Sequence, residues 1–394
     1  MIDIKNKVDC CGCYSCYSIC AHNAIAMVAD KEGFVYPKVD ANKCIDCGMC
    51  ENVCPISHPR EQTSLKDSFI LQYKSDSIRK QSSSGGAFTA IAEWIIKQGG
   101  VVFGAEFNNA FEVEHNYTET VEGLSRFRGS KYVQSNIGDS YSQAKQFLKS
   151  GKTVLFTGVP CQISGLLNYL RKPYDNLYTI EVICHGVPSP LVWREYLKYQ
   201  ENKHRSKITN VSFRDKSLGY ASTMKIQFEN GQVYRRGHES DIMLRLFFSE
   251  ITSRPSCYDC KFKGIERQSD FSIYDCWSIK QFNKEWDDDK GTSNVIINTE
   301  KAQLLYQKID TIRSLEVNQD KAMKLDGNMI YDNLQKNPRR DAFMSALKNN
   351  PRQAIIQYSG ITRKDNLKGF LKPILVRFGI LHLKKKFFNK KRVC

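Results

Sequence analysis

The chain has 394 residues, 15 cysteines and a formal net charge of +16, with 41% hydrophobic and 25% charged residues. This composition is typical of a protein with a packed core and excludes global disorder. No apolar run reaches the roughly 20 residues that a membrane-spanning helix needs, and the N-terminus lacks the apolar stretch of a secretory signal. We therefore expect a cytoplasmic protein. Disulfides are rare there, so this many cysteines suggest metal binding.

The positive charge is concentrated at the C-terminus. Residues 361–394 contain eleven Lys or Arg against one acid, Asp365, which gives this segment +10 and leaves about +6 for the rest of the chain. The overall charge is therefore poor evidence for a nucleic-acid partner, and no groove pattern of alternating aromatic and basic residues supports one. We expect no nucleic-acid binding.

The first feature in chain order is a cysteine pattern that occurs twice. The run C-x2-C-x2-C-x3-C recurs with a period of 34 residues. Its members are Cys10, Cys13, Cys16 and Cys20, then Cys44, Cys47, Cys50 and Cys54. Between the copies, residues 24–28 and 34–36 predict two short strands joined by a turn at 31–33.

Two runs of four thiolates are typical of a pair of 4Fe–4S clusters in which the fourth cysteine of each run ligates the other cluster. We assign one cluster to Cys10, Cys13, Cys16 and Cys54, and the second to Cys44, Cys47, Cys50 and Cys20. Structural zinc is the alternative, although zinc sites usually use pairs of C-x2-C. Residues 5–56, with Pro55 after the last cysteine, resemble bacterial two-cluster ferredoxins. We do not assign Cys11 as a ligand of either cluster.

Beyond a polar linker the chain alternates between strand and helix patterns. Apolar runs predict strands at 69–73, 101–105, 154–158 and 177–183, and helical spacing predicts helices at 87–96 and 142–148. Such alternation indicates an α/β layer. After residue 208, shorter alternating segments such as 224–228 indicate an antiparallel β portion. The predicted fold class is thus a multidomain α+β and α/β protein, with a small ferredoxin-like domain followed by a mixed α/β body.

A turn rich in serine and glycine, Ser82-Ser83-Ser84-Gly85-Gly86, precedes the helix predicted at 87–96. Free backbone N–H groups and the helix dipole favour a phosphate at such a position. An ordinary serine N-cap is the alternative. The chain has no G-x-G-x-x-G motif, so a nicotinamide-binding Rossmann site is unsupported.

Several short motifs follow one another in the body: residues 84–86, 129–135, 158–162, 184–189, the pair Cys257 and Cys260, and 270–277. Together they are similar to the beta-subunit family of the coenzyme F(420)-reducing hydrogenases and dehydrogenases, over about residues 65–320. The resemblance implies an FAD-containing iron–sulfur oxidoreductase whose flavin exchanges hydride with a deazaflavin and passes single electrons to clusters. Relatives also reduce chlorophyll-type substrates, so the family leaves the substrate open.

The resemblance further implies which residues contact the flavin. These are Ser83, Ser84, Gly85, Gly86, Ser130, Lys131 and Tyr132. Lys131 would steady the pyrophosphate or the N1/O2 edge of the flavin, and a surface lysine is the alternative. His185 would shuttle a proton to the flavin, and a hydrogen-bonded structural histidine is the alternative.

A third 4Fe–4S cluster is implied by the family, with Cys161, Cys184, Cys257 and Cys260 as its ligands. Cys161 and Cys184 each follow a predicted strand, so both can lie at one sheet edge. The alternatives are buried structural thiols for these two and a zinc clip for Cys257 and Cys260. Cys276 could replace one of the ligands.

Near the C-terminus, an apolar stretch with few charges at 370–381 is followed by a basic run at 384–392. Such a segment can lie on anionic lipid, which would place the protein at the inner face of a membrane. The alternative is a solvated helix that docks on the body or on a partner.

These patterns predict four regions: a two-cluster domain at 1–60, a flavin-binding portion at 61–150, a portion with the third cluster at 151–335, and a basic tail at 336–394. The predicted function is electron transfer between a hydride partner, FAD and the clusters, with a ferredoxin or a deazaflavin coenzyme as redox partner. One alternative is a deazaflavin-independent reductase of an organic substrate. Another is a non-catalytic electron-transfer protein without flavin.

Overall fold

The computed structural model describes residues 1–60 and 67–377. Its strands are β1 (Ile25–Ala29), β2 (Val35–Val39), β3 (Asp67–Tyr73), β4 (Val101–Phe107), β5 (Val113–Thr118), β6 (Val154–Gly158), β7 (Leu177–Val182), β8 (Ile208–Ser212), β9 (Thr223–Phe228), β10 (Val233–Gly237), β11 (Phe271–Asp275), β12 (Ser293–Ile297) and β13 (Ile312–Glu316). Its helices are α1 (Ser15–Ile19), α2 (Met49–Asn52), α3 (Asp76–Gln81), α4 (Ala87–Lys97), α5 (Ser140–Lys149), α6 (Pro160–Leu170), α7 (Pro190–His204), α8 (Ile242–Phe248), α9 (Glu300–Tyr306), α10 (Gln319–Asp326), α11 (Asn328–Tyr331), α12 (Arg340–Asn349), α13 (Pro351–Ser359) and α14 (Arg363–Arg377).

The N-terminal domain is built on a hairpin. Strands β1 and β2 pair antiparallel, with Ile25 opposite Val39, between the two cysteine-rich segments. Gly33 has a φ of +84° in the connecting turn, a conformation that glycine adopts without steric cost. The two strands and the turn predicted between the cysteine runs are therefore present.

The body is organised around an eight-stranded mixed sheet with the order β13-β3-β12-β11-β7-β6-β4-β5. Strands β4, β6, β7 and β11 are parallel, and the remaining pairings are antiparallel. The apolar runs of β4 and β6 are buried because helices cover such a sheet. Strands on both sides of residue 150 belong to this one sheet, and the predicted boundary there stays a prediction.

A smaller antiparallel sheet, with the order β10-β9-β8, packs beside the helices α7, α8, α12 and α13. Their shared core includes Trp193, Phe213 and Met224. Residues after 336 give weak sequence signals, yet α12 and α13 bury Phe343 and Ile355 in the same core. The large mixed sheet and the small antiparallel ones confirm the predicted fold class. Within 1–60 and 67–377, no helix has the length and apolarity to cross a bilayer.

The N-terminal domain packs directly on the body. The Ser15 hydroxyl donates to the carbonyl of Gly165 on α6 at 2.6 Å. Arg340 on α12 forms an ion pair with Glu32 in the hairpin turn, Nη2 to Oε2, at 2.7 Å. These contacts hold the N-terminal domain against helices α6 and α12 of the body.

Candidate redox centre

The two cysteine runs share a backbone conformation as well as a sequence. Gly12 and Tyr14 have φ values of +68° and +71°, and α1 begins at the next residue. Asp46 and Gly48, 34 positions later, have φ values of +52° and +72°, and α2 begins directly after them. Left-handed residues at these points turn each loop back on itself. The 34-residue repeat is therefore a repeat of structure.

The thiols of the first predicted quartet, Cys10, Cys13, Cys16 and Cys54, lie close together. Burial raises the pKa of Cys16, and the neighbouring thiols of Cys13, Cys10 and Cys54 raise it further. Burial likewise raises the pKa of Cys10, while Arg254 lowers it. Four neighbouring thiols, two of them buried and two half-buried, are a donor set that suits a cubane cluster.

Two members of the second quartet, Cys20 and Cys50, pack in the apolar cluster that also contains Cys16 and Cys54. The backbone N–H of Ala24 points at the Cys20 sulfur at 3.3 Å, and that of Ile2 points at the Cys50 sulfur at 3.4 Å. Hydrogen bonds of this kind to cluster sulfurs are one of the levers that set a cluster's potential.

The other two members of the second quartet lie nearer the surface. Cys44 is half-buried and Cys47 is exposed. In the described ranges, no group of three or more His, Cys, Asp or Glu side chains is arranged to hold a single metal ion. The assignment of individual ligands to the two clusters stays a prediction.

The four body cysteines line a common pocket. Cys161 lies at the start of α6 just after β6, and Cys184 follows β7. Since β6 and β7 are parallel neighbours, their carboxyl ends share an edge of the sheet. Cys257 lies in a 3₁₀ turn, Pro255–Asp259, and Cys260 follows it. The sequence predicted one sheet edge for Cys161 and Cys184, and the structure places both there, in a pocket that Cys257 and Cys260 also line.

Burial and mutual proximity shape the chemistry of this pocket. Burial, reinforced by the thiol of Cys257, raises the pKa of Cys184 to about 12, and burial raises the pKa of Cys257 to about 11. The ammonium of Lys263 donates to the carbonyl of Cys184 at 3.0 Å. A buried set of thiols beside a cation fits a negatively charged cluster. The third cluster itself stays a prediction.

A fifth cysteine, Cys11, also lines this pocket. Its thiol is buried and lies close to the thiols of both Cys13 and Cys161. It therefore lies between the first ferredoxin quartet and the body pocket, a position that sequence spacing could not predict. Cys276 lies elsewhere, in an apolar cluster with Ile70.

The segments predicted to contact flavin lie side by side. The hydroxyls of Ser83 and Ser130 are 2.8 Å apart, and the Ser130 N–H donates to the Ser83 hydroxyl at 2.6 Å. A β-carbon at Gly85 would lie 2.2 Å from the carbonyl oxygen of Leu71 on β3, so only glycine fits there. Gly86, with a φ of +95°, immediately precedes α4.

Lys131 is turned toward its own loop. Its ammonium donates to the carbonyls of Arg126, Arg128 and Gly129 at 2.9, 3.2 and 3.3 Å. Burial lowers the pKa of Lys131 to about 7. Three carbonyls match the three protons of an ammonium, so this lysine braces the loop that carries Ser130. Its predicted contact with flavin stays a prediction.

Sequence reasoning missed a buried ion pair beside these segments. Arg214, whose side chain is 4% exposed, pairs with Asp275 at the end of β11, Nη1 to Oδ2, at 2.9 Å. It also donates to the Tyr132 hydroxyl and the Ser83 carbonyl, each at 3.1 Å. Its Nε is buried and has no hydrogen-bond acceptor among the described residues. An acceptor supplied by a ligand would satisfy this donor.

Two aromatic rings extend the same site. Tyr220 stacks on Trp277 with ring centroids 4.5 Å apart, and the Arg214 guanidinium lies 5.1 Å from the Trp277 centroid. The Tyr220 hydroxyl lies 3.0 Å from that of Ser84. Asp275 and Trp277 belong to the motif at 270–277, whereas no sequence signal singled out Arg214 or Tyr220, because only tertiary contacts bring them here.

Aromatic rings connect this site with the cysteine pocket. Tyr132 stacks on Phe247 at 4.4 Å, and Phe247 meets His185 edge to face at 5.2 Å. His185 is adjacent to Cys184 in sequence and lines the pocket. Burial lowers the pKa of His185 to about 4, and its Nε2 lies 3.8 Å from Oε1 of Glu250. Its predicted part in proton transfer stays a prediction.

Comparison with known families agrees with this architecture. Residues 9–57 match the family described as "4Fe-4S dicluster domain". Residues 151–322 match the family that describes the C-terminal region of the "Coenzyme F(420) hydrogenase/dehydrogenase, beta subunit". This part of the chain is similar to that beta-subunit family. The resemblance inferred from the short motifs is thereby confirmed, as is the iron–sulfur character of the N-terminal domain.

Two individual proteins are similar over most of the chain. The "Coenzyme F(420)-dependent sulfite reductase" of Methanocaldococcus jannaschii is 24% identical over 319 residues, which are 78% of this chain and 47% of the relative. The chain thus spans about half the length of that curated relative. A chain in the structure of the F(420)-reducing NiFe hydrogenase complex from Methanosarcina barkeri has a TM-score of 0.45 and 16% identity, with 75% of this chain and 91% of that chain covered.

Proposed function

We propose that the chain is an iron–sulfur flavoprotein that passes electrons between a two-electron hydride partner, FAD and 4Fe–4S clusters. The observation that carries this proposal is the position of the body pocket. Four body thiols line it, and Cys11 extends from the two-cluster domain into the same space. The match to an oxidoreductase family and the dicluster match support the same function.

When bound, a flavin converts a hydride into single electrons, which iron–sulfur clusters carry one at a time. The residues around Arg214 would hold it: the guanidinium offers a free donor at Nε, and Tyr220 with Trp277 provides an aromatic surface. Asp275 keeps the guanidinium in place. The stacked rings of Tyr132 and Phe247 would separate this site from the cysteine pocket.

The hydride partner in this proposal is a deazaflavin coenzyme, since the relative from M. jannaschii is named for its dependence on one. At the other end, the loop of Cys47 is exposed and Ile45 is 64% exposed, which suits contact with an external carrier such as a ferredoxin. An organic substrate in place of the deazaflavin remains the alternative.

Anaerobic purification followed by iron, sulfide and flavin analysis tests the proposal. Three cubanes correspond to roughly twelve irons per chain, and we expect about one FAD. Arg214→Gln should lose most of the FAD and keep the iron. Arg194→Gln, which removes an exposed pair with Glu112, should keep both. Clusters without any flavin, even after FAD is added, would favour a simple electron carrier, and an iron-free protein would refute the proposal.

A second proposal concerns α14, whose outer face is apolar and exposed. Leu367, Phe370, Leu371 and Ile374 are between 40% and 59% exposed. Their spacing puts them on one side of the helix, opposite Lys372, which pairs with Glu239 at 2.9 Å. We propose that this face, flanked by basic residues, contacts an anionic membrane surface. Residues 378–394, which continue the basic tail, lie outside the described residues.

Vesicle flotation of the full chain tests this contact. We expect flotation with vesicles that contain phosphatidylglycerol but not with phosphatidylcholine alone. The double variant Leu367→Ser/Ile374→Ser should float several-fold less, and Leu304→Ser, which changes an equally exposed leucine on α9, should float as well as the unaltered chain. Equal flotation of all three chains would contradict the proposal. Absence of flotation for the unaltered chain would also contradict it and would point to a protein partner.

A further inference from the structure

Arg254 is a fully buried arginine that reaches from the body into the two-cluster domain. Its side chain is 0% exposed. Its backbone precedes the 3₁₀ turn that carries Cys257, and the Cys257 N–H donates to the Arg254 carbonyl at 2.9 Å. Among the ion pairs of residues 1–60 and 67–377, no carboxylate is paired with it. A buried guanidinium without an acid normally needs another anion, because its desolvation is costly.

The groups around Arg254 are instead those of the first cluster loop. Nε donates to the carbonyl of Cys10 at 2.8 Å, and Nη2 points at the Cys10 sulfur at 3.6 Å. Nη2 also donates to the carbonyl of Val35, and Nη1 to Oε1 of Gln134, each at 3.0 Å. The guanidinium lies 4.4 Å from the ring centroid of Tyr36.

The first cluster loop leaves space for the Arg254 side chain at Gly12. A β-carbon at Gly12 would lie 2.8 Å from Nη1 of Arg254 and 2.9 Å from Nε2 of Gln134. Gln134 Nε2 in turn donates to the carbonyl of Cys11 at 3.1 Å. The glycine between Cys11 and Cys13 therefore gives a body cation direct access to a cluster loop of the N-terminal domain.

We propose that Arg254 is a positioning residue that raises the reduction potential of the cluster held by Cys10, Cys13, Cys16 and Cys54. Reduction adds one negative charge to a cubane, and a buried cation hydrogen-bonded to a ligand sulfur favours that added charge. Electrons from the body pocket are thereby drawn to the first cluster of the two-cluster domain. This inference rests on the proposed function, and specifically on clusters at residues 9–57.

A redox titration of the anaerobically prepared full chain, followed by electron paramagnetic resonance, tests the role of Arg254. In Arg254→Gln we expect the signal of one cluster to move to lower potential while at least one other cluster keeps its potential. Because the guanidinium is buried, the shift should be the same at low and high salt. Arg340→Gln is the matched control: it removes another buried arginine between body and domain, but one bonded to Glu32 and the Ser253 carbonyl.

A second variant keeps the inference testable if Arg254→Gln loses its cluster. Gln134→Glu keeps the guanidinium and places a carboxylate beside Nη1, so we expect the same cluster to shift in the same direction. Unchanged potentials in a variant that keeps its iron, or equal shifts in Arg340→Gln, would overturn the inference while the proposed function stands. Failure to find clusters in the unaltered chain would instead refute the proposed function.

Discussion

At the scale of single residues, a buried arginine and its counter-charge stabilise the site next to β11. Arg214 is 4% exposed and relies on Asp275 for its counter-charge. Burial alone would raise the pKa of Asp275, but the Arg214 guanidinium outweighs it and holds that pKa below its usual range. The ion pair therefore contributes stability at neutral pH, and this contribution is lost as the pH falls through the lowered pKa.

Asp275→Asn should destabilise the protein strongly because it leaves Arg214 buried without a counter-charge. Breaking a buried pair on one side costs about 3–5 kcal/mol. We expect a clearly lower urea midpoint for this variant under anaerobic conditions. Glu112→Gln, which breaks the exposed pair with Arg194, should change stability by less than about 1 kcal/mol. Equal effects of the two changes would contradict this view of the site.

The body thiols give a second prediction at this scale. Cys257→Ser should lower the iron content by about four per chain, the content of one cubane, because its sulfur lines the pocket. Cys276→Ser is the control, since that thiol is also in the body but is buried against Ile70 and Ile279, away from the pocket. Iron analysis after anaerobic reconstitution measures both. An unchanged iron content in Cys257→Ser would leave the body pocket as a set of structural thiols.

At the scale of elements, the two cluster loops differ in one informative respect. Gly12 and Gly48 both have positive φ values, but a β-carbon at Gly48 would meet nothing within 4 Å, whereas one at Gly12 would meet Arg254. A left-handed conformation costs a non-glycine residue about 1–2 kcal/mol. Gly48→Ala should therefore keep its iron, and Gly12→Ala should lose iron or show an altered cluster signal. Identical iron content and spectra for the two variants would contradict the tight approach of Arg254.

Local patterns predicted seven elements of the body, namely β3, β4, β6, β7, β9, α4 and α5, and the reason is physical. Strands such as β4 and β6 are continuous apolar runs because both faces of the sheet are covered, and α4 begins after the two glycines that mark its start. The helices α12 and α13 were not predicted, because their few buried side chains are spaced among many polar ones. Their place in the core is set by tertiary packing.

At the scale of the whole molecule, spacing alone indicated the eight N-terminal cysteines, because each ferredoxin-type cluster takes three of its four thiolates from one short segment. The four body cysteines required the family resemblance, since 99 residues separate Cys161 from Cys260. Arg214, Arg254 and the bridging position of Cys11 could not be predicted from the sequence. Each depends on contacts between segments that are far apart in the chain.

The central claim is that the body and the two-cluster domain form one path for electrons. Rapid mixing of the anaerobic, FAD-loaded chain with a reduced deazaflavin tests it most directly, with flavin and cluster absorbance followed together. We expect the flavin to be reduced first and the cluster absorbance to bleach afterwards. Flavin reduction without any later change at the clusters, or clusters that respond while no flavin is bound, would contradict the claim.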